Sequence, residues 1–383
     1  MIPFPKKLKD RLDARKLHHS LRSLQGVSDA IDFSSNDYLG FSESSQLKAR
    51  ISKILETFPY KNGSTGSRLL TGNHHLYGEA ESFIASVHKI ESALIFNSGY
   101  DANLGFFSCV PQKGDVILYD EYIHASVRDG IRMSDAKNWK YKHNDLNDLH
   151  NKLARIPDKN TVVYVVTESV FSMDGDCAPL PELVELCEKY GCLVVIDEAH
   201  AVGVIGENGT GLVAHYELRE KIFATIVTFG KALGSHGAAI LGGNDLKQYL
   251  INFARSLIYT TALPPHSVAA IIAGYQLLQE DTTAHTLLRR SIDLFKEKCK
   301  EYYLDAHFIA SDSAIQCMLI PGVSEVKRTA AELLDNGFLV KPILSPTIPS
   351  GSERLRFCLH SYNTEDEITS VLKLLATFAA NIK

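Results

Sequence analysis

A lysine set between two apolar runs and ringed by glycines can carry carbonyl chemistry. Residues 227–243 read Val-Thr-Phe-Gly-Lys-Ala-Leu-Gly-Ser-His-Gly-Ala-Ala-Ile-Leu-Gly-Gly, with Lys231 at the turn. One apolar run, 223–229, leads in, and another, 238–241, leads out; both read as buried strands. An ammonium held in an apolar, glycine-walled place has its charged form disfavoured and its pKa lowered. The neutral amine is a nucleophile of the kind that forms Schiff bases with carbonyl cofactors. Alone, such a lysine is more often a solvated loop residue, so the remaining candidates decide the matter.

Five further polar residues follow apolar runs directly. The run 93–96 leads into Asn-Ser98-Gly99-Tyr100, a helix start whose backbone N–H groups suit an anion. The run 116–119 precedes His124, 161–167 precedes Ser172, and 193–196 ends in Asp197-Glu-Ala199-His200. Strands alternating with helical stretches predict a mostly parallel sheet covered on both faces. In such sheets the carboxyl ends of the strands line the ligand crevice, which puts these residues at one rim. Pyridoxal 5′-phosphate (PLP) needs an amine for its aldehyde, a carboxylate for its pyridine nitrogen and donors for its phosphate. Lys231 is the amine and Asp197 the carboxylate. His200 suits the ring hydroxyl, and His124 could stack on the ring face. Ser98, Gly99 and Tyr100, helped by Thr228, suit the phosphate. Each has a commoner structural reading singly: a satisfied polar His, a capping Asp, a Ser-Gly turn. Jointly, in this order, they are hard to obtain by chance.

Asp197-Glu-Ala-His200 also spells a helicase box, but that reading requires a Walker A lysine upstream. Gly230-Lys231 lies downstream and is followed by Ala. The Gly/Ser-rich residues 62–72 form neither a P-loop nor a dinucleotide fingerprint.

The elements that must position this rim fit a chain of 383 residues with 45% hydrophobic and 22% charged residues, long enough for two domains. Leu8, Leu12, Leu17, Leu21 and Leu24 predict an amphipathic helix over 6–25. Beyond residue 283 charged helices and short strands predict a smaller α+β domain, with a strand over 355–359. Thr364 and Glu367 form a capping box for the last helix. The expected division is an N-terminal helix and arm, 1–42, a large domain, 43–282, and a small one, 283–383. A net charge of −5 offers nucleic acid and membranes no general attraction. Seven scattered cysteines without CxxC spacing, and no apolar run of the ~18 residues that span a bilayer, predict free thiols and a cytoplasmic location. The first residues also lack the apolar core of a signal peptide.

Residues 228–234, Thr-Phe-Gly-Lys-Ala-Leu-Gly, resemble the PLP-lysine signature of class II aminotransferase-like enzymes. More closely, the chain is similar to the α-oxoamine synthases over nearly its whole length. The likeness includes residues 12–15, Phe-Ser-Ser-Asn-Asp-Tyr-Leu-Gly at 33–40, His-Asn-Asp at 143–145 and 166–176. It continues through 202–206, 253–261, Ser-Ala-Ile-Gln at 313–316 and Leu-Arg-Phe at 355–357. The resemblance implies the type I PLP fold, a large domain with a mostly parallel seven-stranded sheet plus a small α+β C-terminal domain. It makes Lys231 the cofactor lysine and proton-transfer base, pairs Asp197 with the pyridinium, stacks His124 on the ring and sets His200 and Ser172 at the ring oxygen. It gives Asn36 and Arg356 the amino-acid carboxylate, and sends Thr261 to the phosphate of a neighbouring subunit, hence a homodimer. The implied reaction is the decarboxylative condensation of an amino acid with an acyl thioester. The 313–316 and 171–176 stretches lean towards the branch that joins L-alanine to a pimeloyl thioester in biotin synthesis. Other branches, using glycine with acetyl or serine with palmitoyl thioesters, stay open, as does a PLP-fold binding module without turnover, which the intact Lys231, Asp197, His124 and Arg356 set argues against. Arg68, Ser345-Pro346 and His236 depart from the usual pattern and bear on the acyl donor. A pimeloyl chain carries a distal carboxyl or its ester, so its pocket needs either a cation or an apolar slot; for the free acid, Arg68, His74 and His75 are the expected cations.

Overall fold

The computed structural model describes residues 2–17, 20–24, 26, 28–57, 61–156 and 160–379. Twelve strands occur among them: β1 (Ile31–Asp32), β2 (Ser92–Phe96), β3 (Val116–Asp120), β4 (Lys137–Tyr141), β5 (Val163–Glu168), β6 (Leu193–Asp197), β7 (Ala224–Thr228), β8 (Ala238–Gly242), β9 (Ile315–Leu319), β10 (Phe338–Leu339), β11 (Lys341–Ile343) and β12 (Arg354–Cys358). Seven form the main sheet in the order β2-β8-β7-β6-β5-β3-β4. Within it only β8 runs against the others. The mostly parallel seven-stranded α/β sheet is therefore present as expected.

Its strands are buried because their sequences leave little else: β2, β5 and β8 expose no residue. Near-continuous apolar, β-branched runs suit strands covered on both faces. Helices Gly99–Cys109, Ala125–Met133 and Leu180–Tyr190 connect successive strands. The last has Pro near its start and Gly191 closing its end at φ 66°, where a left-handed residue is needed. β4 carries no apolar signal: of Lys-Asn-Trp-Lys-Tyr only Tyr141 is buried. It forms because the open edge of β3 needs a partner, and its lysines suit an outer edge strand.

A second, antiparallel sheet, β11-β12-β9, follows in the C-terminal part, with β1 and β10 paired in parallel beside it. Helices Thr283–Glu301, Val323–Asp335 and Glu365–Ala379 accompany these strands. The capping box holds: Glu367 N donates to Thr364 Oγ1 at 3.2 Å, and Thr364 N donates to Glu367 Oε2 at 2.8 Å. One apolar cluster joins both sheets, running from Val227, Phe229 and Leu233 through Phe33, Tyr38 and Phe41 to Phe357 and Leu375. The arm 31–41 is thus wedged between the two sheets.

The N-terminal helix is shorter than its leucines suggest. It spans Lys6–Leu17 and buries none of its residues. Ser20 ends it, its N–H and hydroxyl both donating to the Arg15 carbonyl, at 2.8 and 3.3 Å. Leu21 and Leu24 lie beyond in irregular chain, exposed, as are Leu8, Leu12 and Leu17. No helix among the described residues is long and apolar enough to cross a membrane.

Candidate active site

The carboxyl ends of β2, β3, β5, β6 and β7 converge on a cavity of about 260 Å³ whose wall includes Lys231. Lys231 lies on a tight loop after β7, in which Ser235 N donates to the Phe229 carbonyl at 2.8 Å. Gly234 turns the chain at φ 56°; a Cβ there would stand 2.3 Å from Ser42 N, so glycine is required for the loop to meet the arm. Lys231 Nζ lies 2.7 Å from His200 Nε2. Burial holds the ammonium below the usual lysine range, against the opposing pull of Asp197 and Glu168. That is the perturbation expected from its sequence setting.

Asp197 ends β6, where its carboxylate is oriented from two sides. Oδ1 accepts from Ala199 N at 2.9 Å, and Oδ2 from Asn103 Nδ2 at 2.8 Å. The same Asn103 nitrogen donates to Ser126 Oγ at 3.0 Å, and Ser126 Oγ lies 2.7 Å from His124 Nδ1. His124 caps helix Ala125–Met133, its Nδ1 accepting from Ser126 N at 3.2 Å. Both bonds fall on Nδ1, which leaves the other ring nitrogen to carry the proton. Burial keeps this imidazole below its ordinary pKa against the pull of Asp197, with the Lys231 charge a smaller push in the same direction as burial.

Ser98 is the N-cap of helix Gly99–Cys109, its hydroxyl accepting from Asp101 N at 3.1 Å. A Cβ at Gly99 would meet Thr228 Cγ2 at 2.6 Å, so only glycine lets the helix start approach Thr228. The backbone N–H groups of this helix start suit an anion, while the Ser98 hydroxyl donates to Asp101 Oδ2 at 2.8 Å and Thr228 Oγ1 to the Ala199 carbonyl at 3.4 Å. Tyr100 contributes to the wall, but its hydroxyl turns away and donates to Asp129 at 2.7 Å.

Asn36 reaches the cavity from the arm. Its Oδ1 accepts from Arg356 Nη2 at 3.0 Å, and Arg356 Nε donates to the Ser172 carbonyl at 2.6 Å. Arg356 and Asn36 therefore stand together, from β12 and the arm. Ser172 lies in an adjoining cleft rather than in the lysine cavity, and His124 borders both. Thr261 is exposed at the rim, its carbonyl held by Asn97 Nδ2 at 2.7 Å; it does not line its own chain's cavity.

The expected acyl cations lie elsewhere. Arg68 pairs with Glu81 at 2.6 Å, donates to the Ile95 carbonyl at 3.1 Å and sits 4.0 Å over the Tyr77 ring. A guanidinium so committed braces the fold. His75 is exposed on the first turn of helix His75–His88, 4.0 Å from Glu79, and His74 packs on Tyr77 at 4.7 Å. Neither borders the cavity. His236, by contrast, does.

Sequence reasoning missed Tyr38, Asn103, Ser126 and Glu168. Asn103 follows Gly99 by one helical turn, which could have marked it. Tyr38 stood unread in the motif that supplied Asn36. Glu168 ends β5 in register with Asp197. It is 4% exposed, and its Oε1 has no hydrogen-bond partner among the described residues. Burial and the neighbouring Asp197 push its carboxyl upward, towards the neutral form.

The residues present fit PLP: an amine of lowered pKa, an oriented carboxylate, an imidazole, and a glycine cradle that a Cβ would fill. Fold and site together define a fold type I PLP enzyme. The chain belongs to the family described as aminotransferase class I and II, matched over residues 28–375. It is 42% identical to an 8-amino-7-oxononanoate synthase of Emericella nidulans, over 92% of this chain and 90% of that protein. To the enzyme of that name from Lysinibacillus sphaericus it is 38% identical, over 89% and 86%. Among solved structures, Sphingomonas wittichii serine palmitoyltransferase superposes with TM-score 0.88 at 26% identity, covering 98% of each chain. The 8-amino-7-oxononanoate synthase of Francisella tularensis does so with TM-score 0.78 at 31% identity, over 92% and 98%.

Proposed function

We propose that this protein condenses L-alanine with a pimeloyl thioester, releasing CO₂ and the thiol and giving 8-amino-7-oxononanoate for biotin synthesis. The observation that carries the reading is that the lysine cavity and a second, larger cleft meet at His124. One compartment suits an amino acid, the other an acyl donor. The relatives from Emericella nidulans and Lysinibacillus sphaericus support the choice of branch.

Bound in the cavity, PLP supplies an aldehyde for amino groups and an electron sink for the pair left when a Cα bond breaks. The protein does the rest. Arg356 and Asn36 hold the amino-acid carboxylate, which sets which Cα bond faces Lys231. Lys231, with its lowered pKa, takes the Cα proton and later returns one. Asp197, fixed by Asn103 and Ala199, would keep a pyridine nitrogen protonated; His124 would cover the ring, and His200 would stand on its oxygen side once Lys231 leaves its Nε2. The helix start at Ser98, Gly99 and Tyr100, with Thr228, would hold the phosphate.

The second cleft, of about 660 Å³, lies between the 121–125, 171–174 and 345–349 loops. Arg22, Arg128 and Lys140 border it; Lys140 pairs with Glu121 of the same wall at 3.1 Å, so Arg22 and Arg128 bring the positive charge that Arg68 and His75 do not supply. We assign the acyl donor to this cleft, with Ser345 and Pro346 in its wall. The reading includes a homodimer in which Thr261 reaches the neighbour's phosphate, a cytoplasmic location, and residues 43–282 and 283–383 as large and small domains.

Serine palmitoyltransferase chemistry is the second reading, favoured by the structural likeness to that enzyme. A site that merely accommodates an extra methylene or hydroxyl discriminates by only about 10–200-fold, so the acyl chain is the sharper test. Thiol release measured as kcat/KM across a panel should rank L-alanine over glycine and serine, and pimeloyl over acetyl and palmitoyl thioesters. Faster turnover of serine with palmitoyl-CoA would establish the second reading instead.

A further inference from the structure

Four hydrogen-bonded contacts connect the carboxylate clamp to the lysine. Arg356 Nη2 donates to Asn36 Oδ1 at 3.0 Å, and Tyr38 OH lies 3.2 Å from that oxygen. Tyr38 OH is also 2.7 Å from His200 Nδ1, and His200 Nε2 is 2.7 Å from Lys231 Nζ. Tyr38 is fully buried, and it borders neither the lysine cavity nor the adjoining cleft. It belongs to the arm, His200 to the turn after β6, Lys231 to the loop after β7 and Arg356 to β12.

We propose that Tyr38 is a positioning residue that sets the tautomer of His200 and so couples occupancy of the carboxylate clamp to the proton on Lys231. The inference rests on the roles proposed for Lys231 and Arg356.

The supply of protons decides between two arrangements. Burial keeps the Tyr38 phenol protonated, so it has one hydrogen to give. Burial, then the Lys231 and Arg356 charges and His124, keep His200 neutral, with one ring hydrogen. If Tyr38 donates to Asn36, His200 must donate from Nδ1 to the Tyr38 oxygen, and Nε2 becomes an acceptor for the Lys231 ammonium. If Tyr38 donates to His200 instead, the ring hydrogen is on Nε2 and the lysine must be a neutral amine to accept it. Each arrangement satisfies every member, and they differ by the rotation of one hydroxyl and one tautomer shift. A carboxylate arriving at Arg356 competes with Asn36 for Nη2. Asn36 Oδ1 then has Tyr38 as its remaining strong donor, which favours the first arrangement. Nε2 is thereby ready as acceptor when Lys231 takes up a proton.

The test uses the full chain, free of cofactor and labelled with ¹⁵N-histidine. Long-range proton–nitrogen correlation spectra show which ring nitrogen carries the hydrogen, and the His200→Asn variant identifies the signals. Propionate, which is alanine without its amine, should shift His200 of the unsubstituted protein towards a protonated Nδ1 and an unprotonated Nε2. In Tyr38→Phe, Nδ1 loses its acceptor, the hydrogen should move to Nε2, and propionate should no longer shift these signals. Asn36→Ala keeps the Tyr38 ring and hydroxyl but removes the competing acceptor, so it should move the hydrogen the same way even if Tyr38→Phe folds poorly. An unprotonated Nδ1 in the unsubstituted protein with propionate bound would overturn the proposal. So would a propionate response that survives in Tyr38→Phe, or unaltered signals in Asn36→Ala. None of these outcomes depends on which acyl thioester the enzyme uses, so a failed substrate panel and a failed tautomer assignment are distinguishable.

Discussion

Asp197 shows how much of this site is decided by single atoms. Its two oxygens are taken by Ala199 N and Asn103 Nδ2, so the carboxylate has one orientation. Replacing it with Asn changes charge with little change in volume, and the amide oxygen can keep one of those donors. Asp197→Asn should therefore melt close to the unsubstituted protein. Its kcat should fall on the order of 10²–10³-fold, the scale seen when one preorganised electrostatic group is removed from a water-poor site. Steady-state kinetics beside thermal melts make the comparison; near-normal turnover would show that Asp197 does not hold the pyridine proton.

At the scale of elements, His143 ties two of the loops that carry the site. Its Nδ1 lies 3.0 Å from Asp120 Oδ1 at the end of β3, and its Nε2 2.8 Å from Asp176 Oδ2 in the loop after β5. The ring stacks on Tyr122 at 4.4 Å and meets Phe171 edge-on at 4.4 Å. Burial works against the charge, but the bonds to Asp120 and Asp176 raise the pKa to about 10. A histidine unfolds to a pKa of about 6.5. Its stabilising contribution is therefore complete below about pH 6.5 and is lost as pH rises through about 10. Thermal melts from pH 6 to pH 10 should show His143→Gln with a lower Tm than the unsubstituted protein at pH 6 and a gap that narrows towards pH 10. A constant gap would mean that the imidazolium is not what holds the loops.

Elements also differ in how legible they were in the sequence. The strands flanking Lys231, Asp197 and Ser98 were readable because fully covered strands demand unbroken apolar runs. The residues at their ends stood out because polar side chains there have a reason to be polar. β4 was not readable, since an edge strand is held by its neighbour's open hydrogen bonds and needs no apolar pattern. The partners of Arg68, Glu81 and the Ile95 carbonyl, were not readable, because a cation in a glycine-rich loop gives no sign in the sequence of what it pairs with across the fold. The stacked leucines of 6–25 suggested one long helix, but spacing alone does not say whether any surface exists to bury them.

At the scale of the whole molecule, the arm 31–41 brings Asn36 and Tyr38 between the two sheets. β12 brings Arg356 from the far end of the chain, and the main sheet supplies Lys231, Asp197, His124 and His200. Segments distant in sequence thus meet around and beside one cavity, with Arg356 and Tyr38 buried outside its lining, and the proposed chemistry depends on Lys231 being the residue that takes the cofactor's aldehyde. The protein purified with PLP should be yellow. Borohydride reduction followed by digestion and mass mapping should place the cofactor on the peptide containing Lys231. A protein that stays colourless in excess PLP, or a label on any other lysine, would contradict that role.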